Sequence, residues 1–213
     1  MTPAPHTRAP GQLTERQAAR RRRIVEATTT LAREGGYDAV QMRAVAETSQ
    51  VALGTLYRYF PSKVHLLVAT MRDQLERLHH TLHAHPPRHP RASDRVAHTL
   101  LRAFETLQHE PLLADAMLRA LNFADQHVSE EVASVSRLTT ALIEDAIRLE
   151  EEPSEERLSA VRVIGHTWHS VLIGWLTGRA TMDQVRVDLH TVCQLVDLPS
   201  APAPRGSAHG ARG

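Results

Sequence analysis

Apolar residues recur through the interior of the chain at three- and four-residue steps, the period of a helix with one buried face. Ile24, Val25, Thr28, Leu31 and Ala32 fall at that spacing within about 14–34, and Gly35-Gly36 predicts the end of that helix. Two short helices are predicted over 42–48 and 53–59. Pro61-Ser62 then breaks the chain, with Ser62 as an N-cap. Val64, Leu67, Met71, Leu75, Leu78 and Leu82 form one stripe of a long helix reaching about residue 83, after which the prolines of 85–90 cannot continue it. Further helices are predicted at about 93–109, 111–124 and 129–150, with Pro111 in a first turn. Beyond a break at 150–154, Leu158, Val161, Gly165, Trp168, Leu172 and Trp175 trace another stripe, which Gly178 ends. Thr181-Met182-Asp183-Gln184 has the capping-box pattern and opens a last helix with Val185, Leu189, Val192 and Val196 on one face. The pattern predicts an all-α chain of about nine helices with no strand and no internal repeat. The Pro-, Gly- and Ala-rich segments 1–12 and 199–213 are predicted to be disordered tails.

Composition narrows the class. The 213 residues are enough to bury a real core, and 42% hydrophobic content with only 4% aromatic suits interdigitating helices better than a sandwich. A single cysteine, Cys193, excludes an intramolecular disulfide and a Cys-based zinc site, as in a reducing cytoplasm. No stretch approaches the roughly 18 apolar residues of a membrane span, and the N-terminus lacks the apolar core of a signal peptide. A soluble, cytoplasmic protein with no membrane partner is the expectation. Gly-rich phosphate loops, nucleophile elbows and supported carboxylate pairs are missing, so neither catalysis nor a cofactor is expected. His79 and His83 have the i, i+4 spacing of a metal pair, but the 14 histidines are dispersed and lack a cysteine partner, so no metal site is expected.

Charge divides the chain. Residues 1–63 carry ten basic against five acidic side chains, a net +5, and the rest carries fifteen against nineteen, a net −4. A basic N-terminal third on an acidic body is the division expected when one end meets a polyanion. Arg20 to Arg23 fill a whole helical turn, so about two of the four can face one phosphate backbone. Lys63 is the only lysine.

The segment 40–63 is specific. Two short helices joined by Ser49-Gln50-Val51-Ala52, with Val45, Ala46, Val51 and Leu56 able to pack together, describe a helix-turn-helix. Leu56 and Phe60 hold the inner face of the second helix, while Thr55, Tyr57, Arg58 and Tyr59 are able to bond phosphates and touch base edges. The run Gly54-Thr55-Leu56-Tyr57-Arg58-Tyr59-Phe60-Pro61-Ser62-Lys63, followed by Leu66-Leu67, resembles the recognition helix and following helix start of TetR-type repressors. The likeness covers about 23–82. It implies a homodimer, a three-helix DNA-binding head over 13–62, and an effector-binding and dimerisation body over 63–198. It places base reading at Arg43, Thr55 and Tyr57, and backbone contact at Tyr59 and Lys63. Arg43 is able to fork onto guanine O6 and N7, Thr55 offers a methyl and a hydroxyl, and Leu53 and Gly54 offer shape or methyl contact. Arg58 completes the set. The implied partner is double-stranded DNA with an inverted-repeat operator.

Residues 36–46 and 51–68 look like the actinobacterial repressors of cholesterol catabolism, the KstR type. Extended to the body, that likeness implies a steroid-derived acyl-coenzyme A thioester as effector, releasing the repressor from genes of sterol or lipid breakdown. Leu100, Phe104, Met117, Leu121, Phe123, Leu142 and Trp168 either line a long apolar cavity for such a ligand or fill an ordinary bundle core. Arg102, Arg119, Asn122 and Arg162 are candidates to meet a coenzyme A tail. Trp168, Leu172, Trp175, Leu189, Val192 and Val196 are expected at a four-helix dimer interface. Two other readings stand beside this one: a helical ligand or lipid carrier with an incidental basic head, and a fatty-acid repressor answering to fatty acyl-coenzyme A.

Overall fold

The computed structural model describes residues 14–124, 126–148 and 154–198, and the expected tails, with most of the 150–154 break, lie outside them. Nine α-helices stand among the described residues: α1 (Glu15–Ala39), α2 (Met42–Thr48), α3 (Leu53–Tyr59), α4 (Lys63–Ala84), α5 (Ala92–Gln108), α6 (Pro111–Asn122), α7 (Ser129–Ile147), α8 (Glu155–Leu176) and α9 (Met182–Cys193). Single 3-10 turns precede α7 and follow α9. No strand occurs among the described residues. The all-α expectation holds.

Helix ends follow local chemistry, with one departure from expectation. Gly35-Gly36 breaks α1 as expected, both residues leaving helical geometry with Gly36 at φ +65°, ψ −155°, and a further short helical stretch follows to Ala39. A side chain is strained there. At α9 the Thr181 hydroxyl accepts from the Gln184 amide, but the Gln184 side chain turns forward to Asp188 at 2.8 Å, so only half of the expected capping box forms. The complete box sits at α1, where Thr14 and Gln17 bond each other reciprocally. Gly178, at φ +69°, ends α8 as expected, with the Gly178 amide on the Trp175 carbonyl and the Arg179 amide on Gly174.

The chain forms two compact units, one from residues up to 80 with 105–138 and the other from 81–104 with 139 onward. In the first unit a continuous core joins Ile24, Val25 and Ala32 of α1 to Val45, Leu56, Phe60, Leu66 and Leu67, and to Leu113 and Met117 of α6. In the second, α8 packs along α9 and the turn that follows it. Phe104 is fully buried and meets Trp168 and Trp175 edge-on, ring centroids 6.0 and 5.1 Å away.

Two polar clasps hold the ends of helices in the second unit. Arg95 donates to the carbonyls of Ala146 and Ile147, which have no partner within α7, and to those of His89 and Pro90. Asp197 caps α5 from far along the chain, accepting from the Ser93 amide and hydroxyl and from Arg91. Desolvation alone would raise the Asp197 carboxyl, but these bonds together hold it below the usual range. Its contribution to stability is therefore complete above the unfolded carboxyl value of about 3.9 and is lost as pH falls through the lower folded value.

Two outcomes follow. Gly36→Ala is expected to lower stability by about 1–3 kcal/mol in urea unfolding, and wild-type stability would show that the backbone does not need glycine. Asp197→Ala is expected to cost about 1 kcal/mol at pH 7 and to flatten the acid limb of the stability profile, checked by urea melts from pH 3 to 7.

Candidate nucleic-acid interface

The short helices at 42–48 and 53–59 form as expected, and the turn between them is built by hydrogen bonds. Ser49 donates its hydroxyl to the Val45 carbonyl at 2.6 Å. The amide of Gln50 bonds the Glu47 carbonyl and that of Val51 bonds Ala46, the paired pattern of a Schellman ending. Gln50 holds the left-handed position at φ 55°, where glycine is usual. Ala52 then starts α3, its carbonyl accepting from Thr55 and Leu56.

This turn and the core beneath it set what faces outward. Leu56 and Phe60 are buried, and Leu53 and Tyr59 lean on the same core, so these last two give part of their surface to packing. Arg43, Gly54 and Arg58 are exposed, Tyr57 stands 47% exposed, and Thr55 is half-buried. The eight expected residues thus lie together on α2, α3 and the first turn of α4, with four of them exposed and the other four half-buried. Gly54 has ordinary helical geometry and open space where a Cβ would stand.

Lys63 is held more tightly than the sequence suggests. Its ammonium lies 3.7 Å from the centroid of the Tyr37 ring, and desolvation there pushes its pKa down while Asp38 partly restores it. Tyr37 in turn packs at 6.2 Å against Phe123. One turn into α4, His65 Nε2 donates to the His127 carbonyl, leaving Nδ1 to accept from Ser62. Of the four-arginine run, Arg21 turns inward over the Phe60 ring, where burial first and Arg72 second depress its pKa against Glu76 and Asp73. Arg22 and Arg23 are exposed and Arg20 is half-buried.

Other expected groups scatter. Leu100, Phe104, Leu142 and Trp168 are buried in the second unit, whereas Met117 is buried and Leu121 half-buried in the first. Phe123 is 66% exposed: α6 stops at Asn122, so its ring reaches solvent beside Tyr37 and lines no interior. Trp168, Leu172, Leu189 and Val196 are buried within the single chain and have almost no surface left for a partner. Trp175 and Val192 are half-buried, and the apolar residues that α8 and α9 leave exposed are Val163 and Val187. Arg119 pairs with Asp115 at 2.9 Å. Among the described residues no group of three or more His, Cys, Asp or Glu is placed to hold a metal ion.

Sequence reasoning missed the contact between Arg33 of α1 and Glu110, a bidentate pair at 2.8 and 2.9 Å. The partners are 77 residues apart, and no local pattern signals such a bond.

Comparison with known proteins agrees with this architecture. Residues 24–70 match the family described as bacterial regulatory proteins, tetR family, and residues 90–196 match the tetracyclin repressor-like C-terminal domain. The chain is 44% identical over 84% of its length, and 84% of the relative's, to the HTH-type transcriptional repressor KstR of Rhodococcus jostii strain RHA1. It is 40% identical to the KstR repressor of Mycobacterium tuberculosis strain H37Rv over 88% of this chain and 86% of that one. A crystal structure of a TetR transcriptional regulator from Rhodococcus sp. RHA1 superposes with a TM-score of 0.81 at 35% identity, covering 88% of this chain and all of that one.

The geometry of Gly54 makes a direct test. Gly54→Ala is expected to raise stability by about 0.5–1 kcal/mol, because it adds a better helix former into open space. A lowered melting temperature would show that the site is packed against something.

Proposed function

The chain belongs to the tetR family of bacterial regulatory proteins, a transcription regulator and not an enzyme, and on that premise we propose that it acts as a homodimeric repressor released from an inverted-repeat operator by an apolar small molecule. The observation that carries this reading is the outward set of Arg43, Gly54, Tyr57 and Arg58 over a fixed core, with Lys63 beside it. Arg43 is assigned to a guanine, Thr55 and Tyr57 to base edges, and Arg58, Tyr59 and Lys63 to phosphates. Leu53 and Gly54 allow close approach. Two heads on successive major grooves require half-sites about 34–36 Å apart, or a multiple of that.

Exposure decides where the dimer contact is sought. Leu189, fully buried in one chain, belongs to the packing of α8 against α9, so the partner-facing apolar positions are assigned to Val163 and Val187. An interface of α8 and α9 with their copies is a four-helix arrangement. The effector is assigned to the apolar interior of the second unit, where Leu100, Phe104, Leu142 and Trp168 are buried. The likeness to the cholesterol-catabolism repressors supports a steroid-derived acyl-coenzyme A thioester and control of sterol or lipid breakdown. Release requires only that the ligand bind the released state more tightly than the operator-bound one.

Gel shifts on the DNA upstream of the chain's own gene, at two salt concentrations, test the core of this reading. A specific band that survives competitor DNA is expected, and binding that simply collapses with salt would favour a helical carrier with an incidental basic head. Arg43→Ala is expected to lose about 1–3 kcal/mol and to relax one operator position, whereas Lys63→Ala should weaken all sequences alike and reduce the salt slope by about one. Val187→Glu is expected to sediment as monomer with an unchanged melting temperature and to lose operator binding; a dimeric variant would move the interface elsewhere. In titrations of the operator complex, release by sterol-derived thioesters is expected. Release by long fatty acyl thioesters alone would redirect the function to fatty-acid metabolism.

A further inference from the structure

A lysine makes a poor phosphate contact unless something aims it. Its four-carbon stem rotates freely, so much of what the ammonium gains at a phosphate is lost in holding the side chain still. Lys63 is the one lysine among 25 basic residues, and it opens α4. Asp38 attracts it without a hydrogen bond. What touches its ammonium is the face of the Tyr37 ring, 3.7 Å from nitrogen to centroid, well inside the range at which a ring attracts a cation.

The ring is itself held. Tyr37 follows directly on the backbone break at Gly36, whose positive φ turns the chain out of the line of α1. One side of Tyr37 packs on the core of the head. Phe123 meets its ring at 6.2 Å and a tilt of 54° from the C-terminal end of α6, where the Phe123 amide bonds the Arg119 carbonyl. With 66% of Phe123 exposed, burial explains little of its placement, and the contact with Tyr37 gives that ring a purpose. All three residues belong to the first unit. An ammonium has three donors, and one ring face engages it from one side, so half-buried Lys63 keeps donors for a second partner.

We propose that Tyr37 is a positioning residue for operator binding: its ring face, backed by Phe123, holds the Lys63 ammonium in place to meet a DNA phosphate. This rests on the reading of Lys63 as a phosphate contact, and it adds the residue that aims it.

The test uses the full chain and the DNA upstream of its own gene, with Tyr37→Phe, Tyr37→Leu, Lys63→Ala and the double variant Tyr37→Leu/Lys63→Ala titrated over a salt series. Tyr37→Leu is expected to weaken binding about two- to fivefold in the wild-type background and to cost nothing further once Lys63 is alanine. Tyr37→Phe keeps the ring face and should bind as wild type does. Equal loss from Tyr37→Leu in both backgrounds would make Tyr37 a packing residue of the head, and equal loss from Tyr37→Phe and Tyr37→Leu would assign the effect to the phenol hydroxyl; either overturns the proposal alone. A second measurement needs no variant, so the proposal stays testable even where Tyr37→Leu does not fold. Because the chain has one lysine, protein carrying isotope-labelled lysine gives a single set of side-chain methylene resonances. They are expected upfield of a free lysine, shifted by the Tyr37 ring, and to stay there when operator is added. Resonances at the free-lysine position in the DNA-free protein, or a return to it on binding, would overturn the proposal. If Lys63→Ala changes neither affinity nor salt slope, the phosphate reading falls and the positioning role with it.

Discussion

A helix of seven residues cannot hold its own shape in water, where isolated helices shorter than about 12–15 residues are marginal. α3 is such a helix, and whatever the head presents to a partner depends on how it is pinned from below. Leu56 and Phe60 supply that anchor by entering a core to which α1, α2, α4 and α6 all contribute. Arg21 closes the same core from outside, its guanidinium 5.4 Å from the centre of the Phe60 ring. The inner face of α3 is thus fixed by residues far from it in sequence, and its outer face inherits that rigidity.

The pairing of α1 with α6 extends the constraint. Arg33 and Glu110 have side chains 49% and 31% exposed, so their attraction adds little stability, about 0–1 kcal/mol for pairs of this kind. The forked geometry instead fixes direction. Glu110 is the N-cap residue of α6 and makes no side-chain bond to its own helix, because Arg33 engages its carboxylate. Next to this, Leu112 packs beside Gly36, where a Cβ would lie 3.7 Å from a Leu112 methyl, an ordinary contact, so the positive φ and not space is what asks for glycine. At the other end of α6, Phe123 meets Tyr37, which holds Lys63. The register of α1 on α6 and the position of the first residue of α4 are therefore set by the same short stretch of α1.

What the sequence made legible was the local part of this arrangement. Apart from the stretch of α1 beyond Gly35-Gly36, helix spans emerged from apolar spacing to within about three residues, because burial of one face imposes the period directly: α2 and α3 were read at their observed limits. The helix-turn-helix followed from Val45, Ala46, Val51 and Leu56, whose contacts lie within a dozen residues. Long-range polar bonds left no trace. Asp197 capping α5 and Arg33 meeting Glu110 connect residues 104 and 77 positions apart, and each of these side chains looks like any solvated charge. Periodicity also could not divide the apolar residues of α8 and α9 between neighbours. It marks a buried face, and Trp168, Leu172 and Leu189 satisfied it by packing within their own chain. Val187, set among Arg186, Asp188 and His190, was hidden by reading as part of a polar face.

Two residues of the head run against local preference in opposite senses. Gly54 occupies a helical position that asks for no glycine, where alanine would be more stable by roughly 0.5–1 kcal/mol. Gln50 occupies a left-handed position where glycine would relieve strain of order 1 kcal/mol. Neither choice is explained by the core, since both residues are exposed. They lie four positions apart, one on the turn and one on α3, and they change the surface in complementary ways, removing a side chain at one point and keeping a long amide at the other. Local inconsistency of this kind concentrates where a surface is shaped for a partner. The exchange of fold stability for surface form at both points supports the helix-turn-helix face as the part of this chain on which function rests.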